Sequence, residues 1–559
     1  MNMKYRFLAI CCLWGCLLTQ ALAQPSWTKK ASKAVFTLKT FQTDGSLLAS
    51  SNGFFIDEDG RALSTFMPFK GAARAVVIDA QGKEWPVVCM LGANETYDVA
   101  KFRVETKKPQ SVKVSVTPLS EEQIATVLPY REVKQVKQGK VLRVEHFNGN
   151  HAYYTLSMPS QEDLAGCPLL NEQGEAVGIM QPAASAGDKQ SYAVSALFAD
   201  SLTITGLSFN DKTLRATTIK KALPEQQDQA LLALYMGSSA TDSTTFATMV
   251  DDFIAQFPQS ADGYLYRAQL HLKAYRFSEA EKDMEQAVKV AEKKDDAHYN
   301  YARLIYEKEV TMSDKPYAAW SLDKAMEEAT KAYELNPMPL YRYQQATILY
   351  AQKRFDEAKE RFLELKDTPL RSAEVFYDAS RCAEQLKDTT AQLALMDSVM
   401  AMFSQPYLQE AAPYLLARAQ VRMGAGKSRE AVADLNDYEK LMRTKLNDRF
   451  YYIRYQADMG GRLFQMALND IDKAIELNPT YDLYLAEKAS LQIRVGLTDE
   501  AAETARRCVE MAPNYSDGYL FLGLAQCLKG NKDEGLKNLQ KAKELGDPQA
   551  DELIEKYSK

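Results

Sequence analysis

Two hydrophobic rhythms divide the chain. Between about 30 and 205, apolar residues come in short runs that often alternate with polar ones: AVFTLKTF (34–41), GFFID (53–57), AVVID (75–79), WPVVCML (85–91), VAKFRVE (99–105), VLRVEHF (141–147), AYYTLSM (152–158), AVGIM (176–180) and SYAVSAL (191–197). Successive side chains of a strand point to opposite faces, and Gly, Asp, Asn or Pro separate the runs, so this region is expected to be an all-β barrel or sandwich. Beyond a polar join at 209–225, the pattern changes to Ala/Glu/Lys/Leu-rich segments with helical periodicity. The first residues follow neither rhythm. Lys4 and Arg6 precede the apolar run FLAICCLWGCLL (7–18), and Ala21-Leu22-Ala23 follows it. This is the three-part pattern of a cleaved export signal over 1–23, with an apolar part too short for a stable membrane span. Leu13-Trp14-Gly15-Cys16 offers a looser alternative, lipidation at Cys16.

The helical half repeats. Ala280, Ala325, Ala358, Ala391, Ala431, Ala467, Ala501 and Gly535 stand at intervals of 45, 33, 33, 40, 36, 34 and 34 residues. A second set of small residues, Ala268, Ala302, Ala346, Ala379, Ala419, Ala489 and Gly523, falls in the preceding helix of each pair, and Pro337, Pro479 and Pro513 close second helices. A period near 34 with two short helices per unit resembles the tetratricopeptide repeat (TPR) family, and YLFLGLAQCLKGNKDEGLKNLQKAKEL (519–545) is the most similar unit. Small residues at 523 and 535 would let antiparallel helices approach closely. The resemblance implies an all-α solenoid of about eight repeats over 261–559, capped by a less regular helical pair at 226–260. It also implies a groove that binds proteins or peptides. Gln269, Tyr343, Tyr350 and Arg494 fall at first-helix positions expected to look into that groove, and ordinary packing or solvation is the competing reading for each.

Composition narrows the function. The 559 residues carry 68 Lys and Arg against 74 Asp and Glu, a net charge of −6, which becomes −8 when Lys4 and Arg6 leave with the signal. That balance speaks against a nucleic-acid partner, which calls for a basic face. Five cysteines remain in the mature chain (Cys89, Cys167, Cys382, Cys508 and Cys527), widely spaced and without a Cys-x-x-Cys motif. They are expected to be buried apolar fillers, with no metal and no cofactor implied. No later run is long enough to span a membrane.

Three segments of the β half, in order, resemble trypsin-like serine proteases of the HtrA type: SNGFFIDEDGRALSTFMPFKGA (51–72), YDVAKFRVE (97–105) and DLAGCPLLNEQGEAVGIM (163–180). The resemblance implies a double β-barrel over 24–208. It places Met67 at the general-base position, Asp98 at the orienting carboxylate and Ala165 at the nucleophile, with Asp163 in place of an oxyanion-loop glycine. The reaction requires a hydroxyl to attack and an imidazole to take its proton, and neither Ala nor Met supplies one. A non-catalytic, exported adaptor of the periplasm or outer membrane is therefore expected, with protein or peptide partners and an oligomeric state left open. Two alternatives stand beside it. One is a peptidase using Cys167 with His146 or His151. The other is a TPR binding protein whose β domain is only structural.

Overall fold

The computed structural model describes residues 25–130, 136–183, 185 and 187–559. The expected signal peptide, with Cys11, Cys12 and Cys16, lies outside the described residues.

The β half forms two closed six-stranded barrels. The first contains β1 (Val35–Phe41), β2 (Leu47–Phe55), β3 (Arg61–Ser64), β4 (Arg74–Ile78), β5 (Glu84–Asn94) and β6 (Val99–Val104), in the order β1-β2-β3-β6-β5-β4. The second contains β7 (Ile124–Val127), β8 (Lys137–Phe147), β9 (His151–Leu156), β10 (Pro168–Leu170), β11 (Ala176–Met180) and β12 (Ser191–Ser195), in the order β10-β11-β12-β9-β8-β7. Closure removes the exposed sheet edges that would otherwise invite aggregation. Phe36, Phe55, Phe66, Phe69 and Phe102 fill the first barrel, while Val141, Tyr154, Leu156, Leu169 and Ile179 fill the second. The β2–β3 turn is held by Asp57, whose Oδ1 accepts the Asp59 and Arg61 N–H groups at 2.9 and 3.0 Å. It needs glycine at position 60, where φ is +79° and a Cβ would stand 2.4 Å from the Val104 carbonyl oxygen.

Residues 209–225, expected as a linker, lie against the first barrel. Leu214 and Ile219 are buried in its core. The Met90 N–H donates to the Lys220 carbonyl at 2.8 Å, and the Thr217 hydroxyl donates to the Ala72 carbonyl at 2.9 Å. The chain divides into two compact units, 1–274 with 278–290, and 275–277 with 291–559. The first unit therefore includes the barrels and the helices 227–240, 243–256 and 261–273.

From 261 onward the helices come in antiparallel pairs with alanines at the places where they meet. Ala268, Ala280, Ala302, Ala325, Ala346, Ala358, Ala379, Ala419, Ala431, Ala467, Ala489 and Ala501 are all fully buried. The helices 516–528 and 532–544 meet at glycine: a Cβ on Gly535 would stand 2.4 Å from Cys527 Sγ and 2.8 Å from the Gly523 carbonyl oxygen. An arginine–aspartate ion pair recurs with a separation of 16 residues, its aspartate buried each time. Arg267 Nη2 donates to Asp283 at 2.7 Å, Arg418 Nη2 to Asp434 at 2.7 Å, and Arg454 Nη2 to Asp470 at 2.8 Å. The third pair has a neighbour, Asp458, fully buried with neither carboxylate oxygen supplied with a donor.

Candidate functional site

The protease-like positions sit on the rims of the two barrels. β3 ends at Ser64, and the chain turns through Met67–Phe69, one turn of 3₁₀ helix with Pro68 favouring its start. Asp98 follows β5 with a left-handed φ of +49°. Its Oδ1 accepts the N–H groups of Phe66 and Met67 at 2.8 and 2.7 Å. Asp98 and Met67 are thus adjacent, joined through the backbone N–H of 67. The Met67 side chain is half exposed. Burial pushes the Asp98 carboxyl above its usual range, against the pull of the two N–H bonds.

Ala165 precedes β10, and its surroundings are built by the segment Gln161–Leu164. Glu162–Leu164 form a 3₁₀ turn, in which the Leu164 N–H donates to the Gln161 carbonyl at 3.2 Å and the Ala165 N–H to the Glu162 carbonyl at 3.3 Å. The Ala165 N–H is therefore engaged within the protein; in the serine-protease scheme the N–H of the nucleophile residue is one of the two donors that hold an oxyanion. The turn is tied to the first barrel. Asn52 Nδ2 donates to the Asp163 carbonyl at 2.9 Å, and the Asn52 N–H donates to the Ala165 carbonyl at 3.2 Å. Gly166 lies at φ +80°, where a Cβ would collide with the Asn52 carbonyl oxygen at 2.0 Å. Asn52 is a site residue that sequence reasoning missed, because its role is a contact across 111 and more positions of chain.

Cys167 is fully buried, and burial pushes its thiol up to about 12, with the nearby Asp163 charge adding to the rise. A thiolate is the reactive form, so this environment opposes nucleophilic chemistry. The four histidines of the chain have other positions. His146 is exposed on β8 opposite Ala152. His151 Nε2 lies 3.0 Å from Ser201 Oγ, with its ring against Phe147 and Phe198. His271 lies 3.4 Å from Asp283, and His298 lies 2.6 Å from Glu328. Among the described residues, no group of acidic, His and Cys side chains could hold a metal.

Two of the four groove candidates share one cluster. The Tyr343 hydroxyl donates to Asp378 Oδ2 at 2.6 Å, and its ring packs edge-on against Phe362. Burial and the Asp378 charge raise its pKa. The Tyr350 ring lies 4.8 Å under the Arg381 guanidinium, which also approaches Asp378 at 3.5 Å. Arg381 lines an adjoining cavity of about 320 Å³ with Tyr377, Glu384, Gln420 and Val421. Gln269 is half-buried in helix 261–273, and Arg494 is exposed at the end of helix 482–494. Neither is placed in that cluster.

Residues 51–179 match the family model described as a trypsin-like peptidase domain. Among solved structures, the chain is similar to the Rv3671c protease from M. tuberculosis in its active form, with 16% identity over 37% of this chain and 89% of that one and a TM-score of 0.29. An inactive mutant form from M. tuberculosis H37Rv gives 17% identity over 33% of this chain and 91% of that one, with a TM-score of 0.27. Among curated proteins, the small glutamine-rich tetratricopeptide repeat-containing protein 2 of Saccharomyces cerevisiae is 26% identical over 98 residues, which cover 18% of this chain and 28% of that protein. The protein of the same name from Mycosarcoma maydis is 30% identical over 98 residues, covering 18% and 27%. The chain thus spans little more than a quarter of the length of the curated relatives it matches. The β half carries a trypsin-like peptidase domain, joined to a helical half in a chain with tetratricopeptide-repeat relatives.

Proposed function

We propose that this chain is a non-catalytic adaptor, which binds protein or peptide partners through its helical repeats while its trypsin-like domain serves as a holding surface and not as a peptidase. The observation that carries the reading is the wall at Ala165: a methyl where a hydroxyl would attack, with its own N–H already donated to Glu162. Met67 has no group that exchanges a proton at neutral pH, so Asp98, whose Oδ1 accepts two backbone N–H groups, has no imidazole at position 67 to orient. Loss of either nucleophile or base costs orders of magnitude in rate. Buried Cys167 does not offer a replacement. Interaction as the general role draws support from the repeat-containing relatives. Export through residues 1–23 to the periplasm or outer membrane belongs to the same proposal and rests on the N-terminal sequence pattern.

The test is fluorophosphonate labelling and peptide turnover by the full chain, with partner capture from an envelope extract under mild crosslinking. No labelling and no turnover are expected, with capture reduced by Arg381→Ala beside the 320 Å³ cavity. Turnover abolished by Cys167→Ala would overturn the proposal. N-terminal sequencing of the mature chain tests the export step, with Gln24 expected first.

A further inference from the structure

A larger cavity, about 960 Å³, lies in the unit that holds the barrels and shares no lining residue with Met67, Asp98 or Ala165. β6 and the β2–β3 turn form one wall. The crossover at 111–114, the segment 199–205 that leaves β12, and the segment 222–229 entering the first long helix form most of the rest, with Lys30 and Leu91. Its volume falls in the usual range of small-molecule sites, roughly 300–1,000 Å³.

The charges on that wall are arranged at a cost. Lys101 and Arg103 are two apart on β6, so they share a face, and Arg61 of β3 stands directly opposite Arg103 in the antiparallel pair. Like charges in direct cross-strand register destabilise a sheet. Arg61 is partly compensated, by Asp57 at 3.7 Å and Glu225 at 3.5 Å. Lys101 Nζ donates to the Leu202 carbonyl at 3.2 Å. Among the described residues, neither Lys101 nor Arg103 forms an ion pair with a carboxylate. Burial, and then the charge of Arg61, holds the Lys101 ammonium below its usual range, so an added anion would relieve strain already present. Beside the cations, Ile56, Leu202, Ile204 and Leu223 supply apolar lining.

We propose that this cavity binds a small organic polyanion of the carboxylate or phosphate class, its anionic end held by Lys101, Arg103 and Arg61 and its body lying on Leu202 and Leu223. Charge-assisted N–H···O⁻ bonds are the strong kind, and an arginine fork matches either anion. Asp57, Asp200 and Glu225 also line the cavity and would repel an extended polyanion, which favours a compact ligand over a nucleic acid. The site is independent of the adaptor reading and would stand if that reading fell.

Calorimetric titration of the full chain at low salt, with citrate in one arm and inorganic pyrophosphate in the other, tests it. Saturable binding of at least one is expected, and the stronger arm assigns the class. Lys101→Gln and Arg103→Gln are each expected to weaken binding at least about tenfold, the loss of one charge-assisted contact. Arg143→Gln on β8 should leave it unchanged. Arg103 is exposed and Lys101 half-buried, so both variants should fold, with melting midpoints equal to or above wild type in the absence of anion. Absence of saturable binding in both arms would overturn the proposal, as would wild-type affinity in both cavity variants or equal weakening by Arg143→Gln.

Discussion

Asp458 is the residue at which a small chemical change should have the largest effect on stability. Its carboxyl is fully buried, has no donor, and faces Asp470, which is itself gripped by Arg454 Nε at 2.7 Å and Nη2 at 2.8 Å. Arg454 is further engaged by Glu439 and by Asn436. Burial first, and then the charge of Asp470, pushes the Asp458 carboxyl up to about 7, in a titration that belongs to the pair. The folded state therefore holds a proton that the unfolded chain releases near pH 4. The contribution of this raised carboxyl to stability is therefore largest at low pH, falls as pH rises from the ordinary carboxylate range, and levels off above about 7. One unit is worth about 1.4 kcal/mol, so a rise of about three units bounds the loss at about 4 kcal/mol. Asp458→Asn removes the charge, keeps the shape and provides an amide donor for Asp470. The variant should match wild type near pH 4.5 and exceed it at pH 8 by about 1–4 kcal/mol, or several degrees in melting midpoint. Asp470→Asn should do the reverse and destabilise the protein at both pH values, because it strips Arg454 of a buried partner. Circular dichroism melts of the three proteins at the two pH values decide the matter. Equal pH dependence in wild type and Asp458→Asn, or a variant weaker at pH 8, would refute the reasoning.

On the adaptor reading, introducing Ser and His alone should not produce chemistry. Met67→His with Ala165→Ser is expected to react with a fluorophosphonate at least about 10²-fold slower than the triple variant that adds Asp163→Gly, because the 165 N–H remains turned to Glu162; equal labelling rates would refute this. Gly535→Ala should cost about 1–3 kcal/mol in thermal unfolding through its collision with Cys527 and the Gly523 carbonyl, whereas Gly424→Ala, with nothing within 4 Å, should be neutral or slightly stabilising. Asp98→Ala leaves two backbone donors without their acceptor and is expected to lower stability by about 1–3 kcal/mol, while Asp98→Asn keeps an acceptor oxygen and should lose less. Iodoacetamide should leave all five described cysteines unmodified in the native state and label them only in denaturant, since each is buried.

Much of the fold was legible because its signals are local. Strands such as β1 and β6 alternate over six or seven residues, and the repeats display their alanines at near-constant intervals. The strands that went unread are short: β3 and β7 have four residues each, three of them buried in a row, and β10 has only three buried residues, so there is no alternation to detect. The segment 209–225 looked like a tether because it is polar, and two apolar residues, Leu214 and Ile219, are what anchor it. At the protease-like site the residue types were readable and the geometry was not. Nothing in Glu162-Asp163-Leu164 announces a 3₁₀ turn that takes up the next N–H, and nothing near Asn52 announces that it clamps that turn. Asp458 and Asp470 escaped for a similar reason. They stand twelve positions apart, on successive helices, and only the folded hairpin brings two acids to one buried place.

The anchoring of 209–225 changes where a cut can be made. Cleavage after residue 208, whether by an engineer or by a housekeeping protease, would pull Leu214 and Ile219 out of the first barrel and leave Met90 and Ala72 without their bonded neighbours. The smallest self-sufficient β fragment therefore extends past Ala222, whose N–H still bonds the Met90 carbonyl. The stretch that reads as a loose tether is a plug that the closed first barrel keeps.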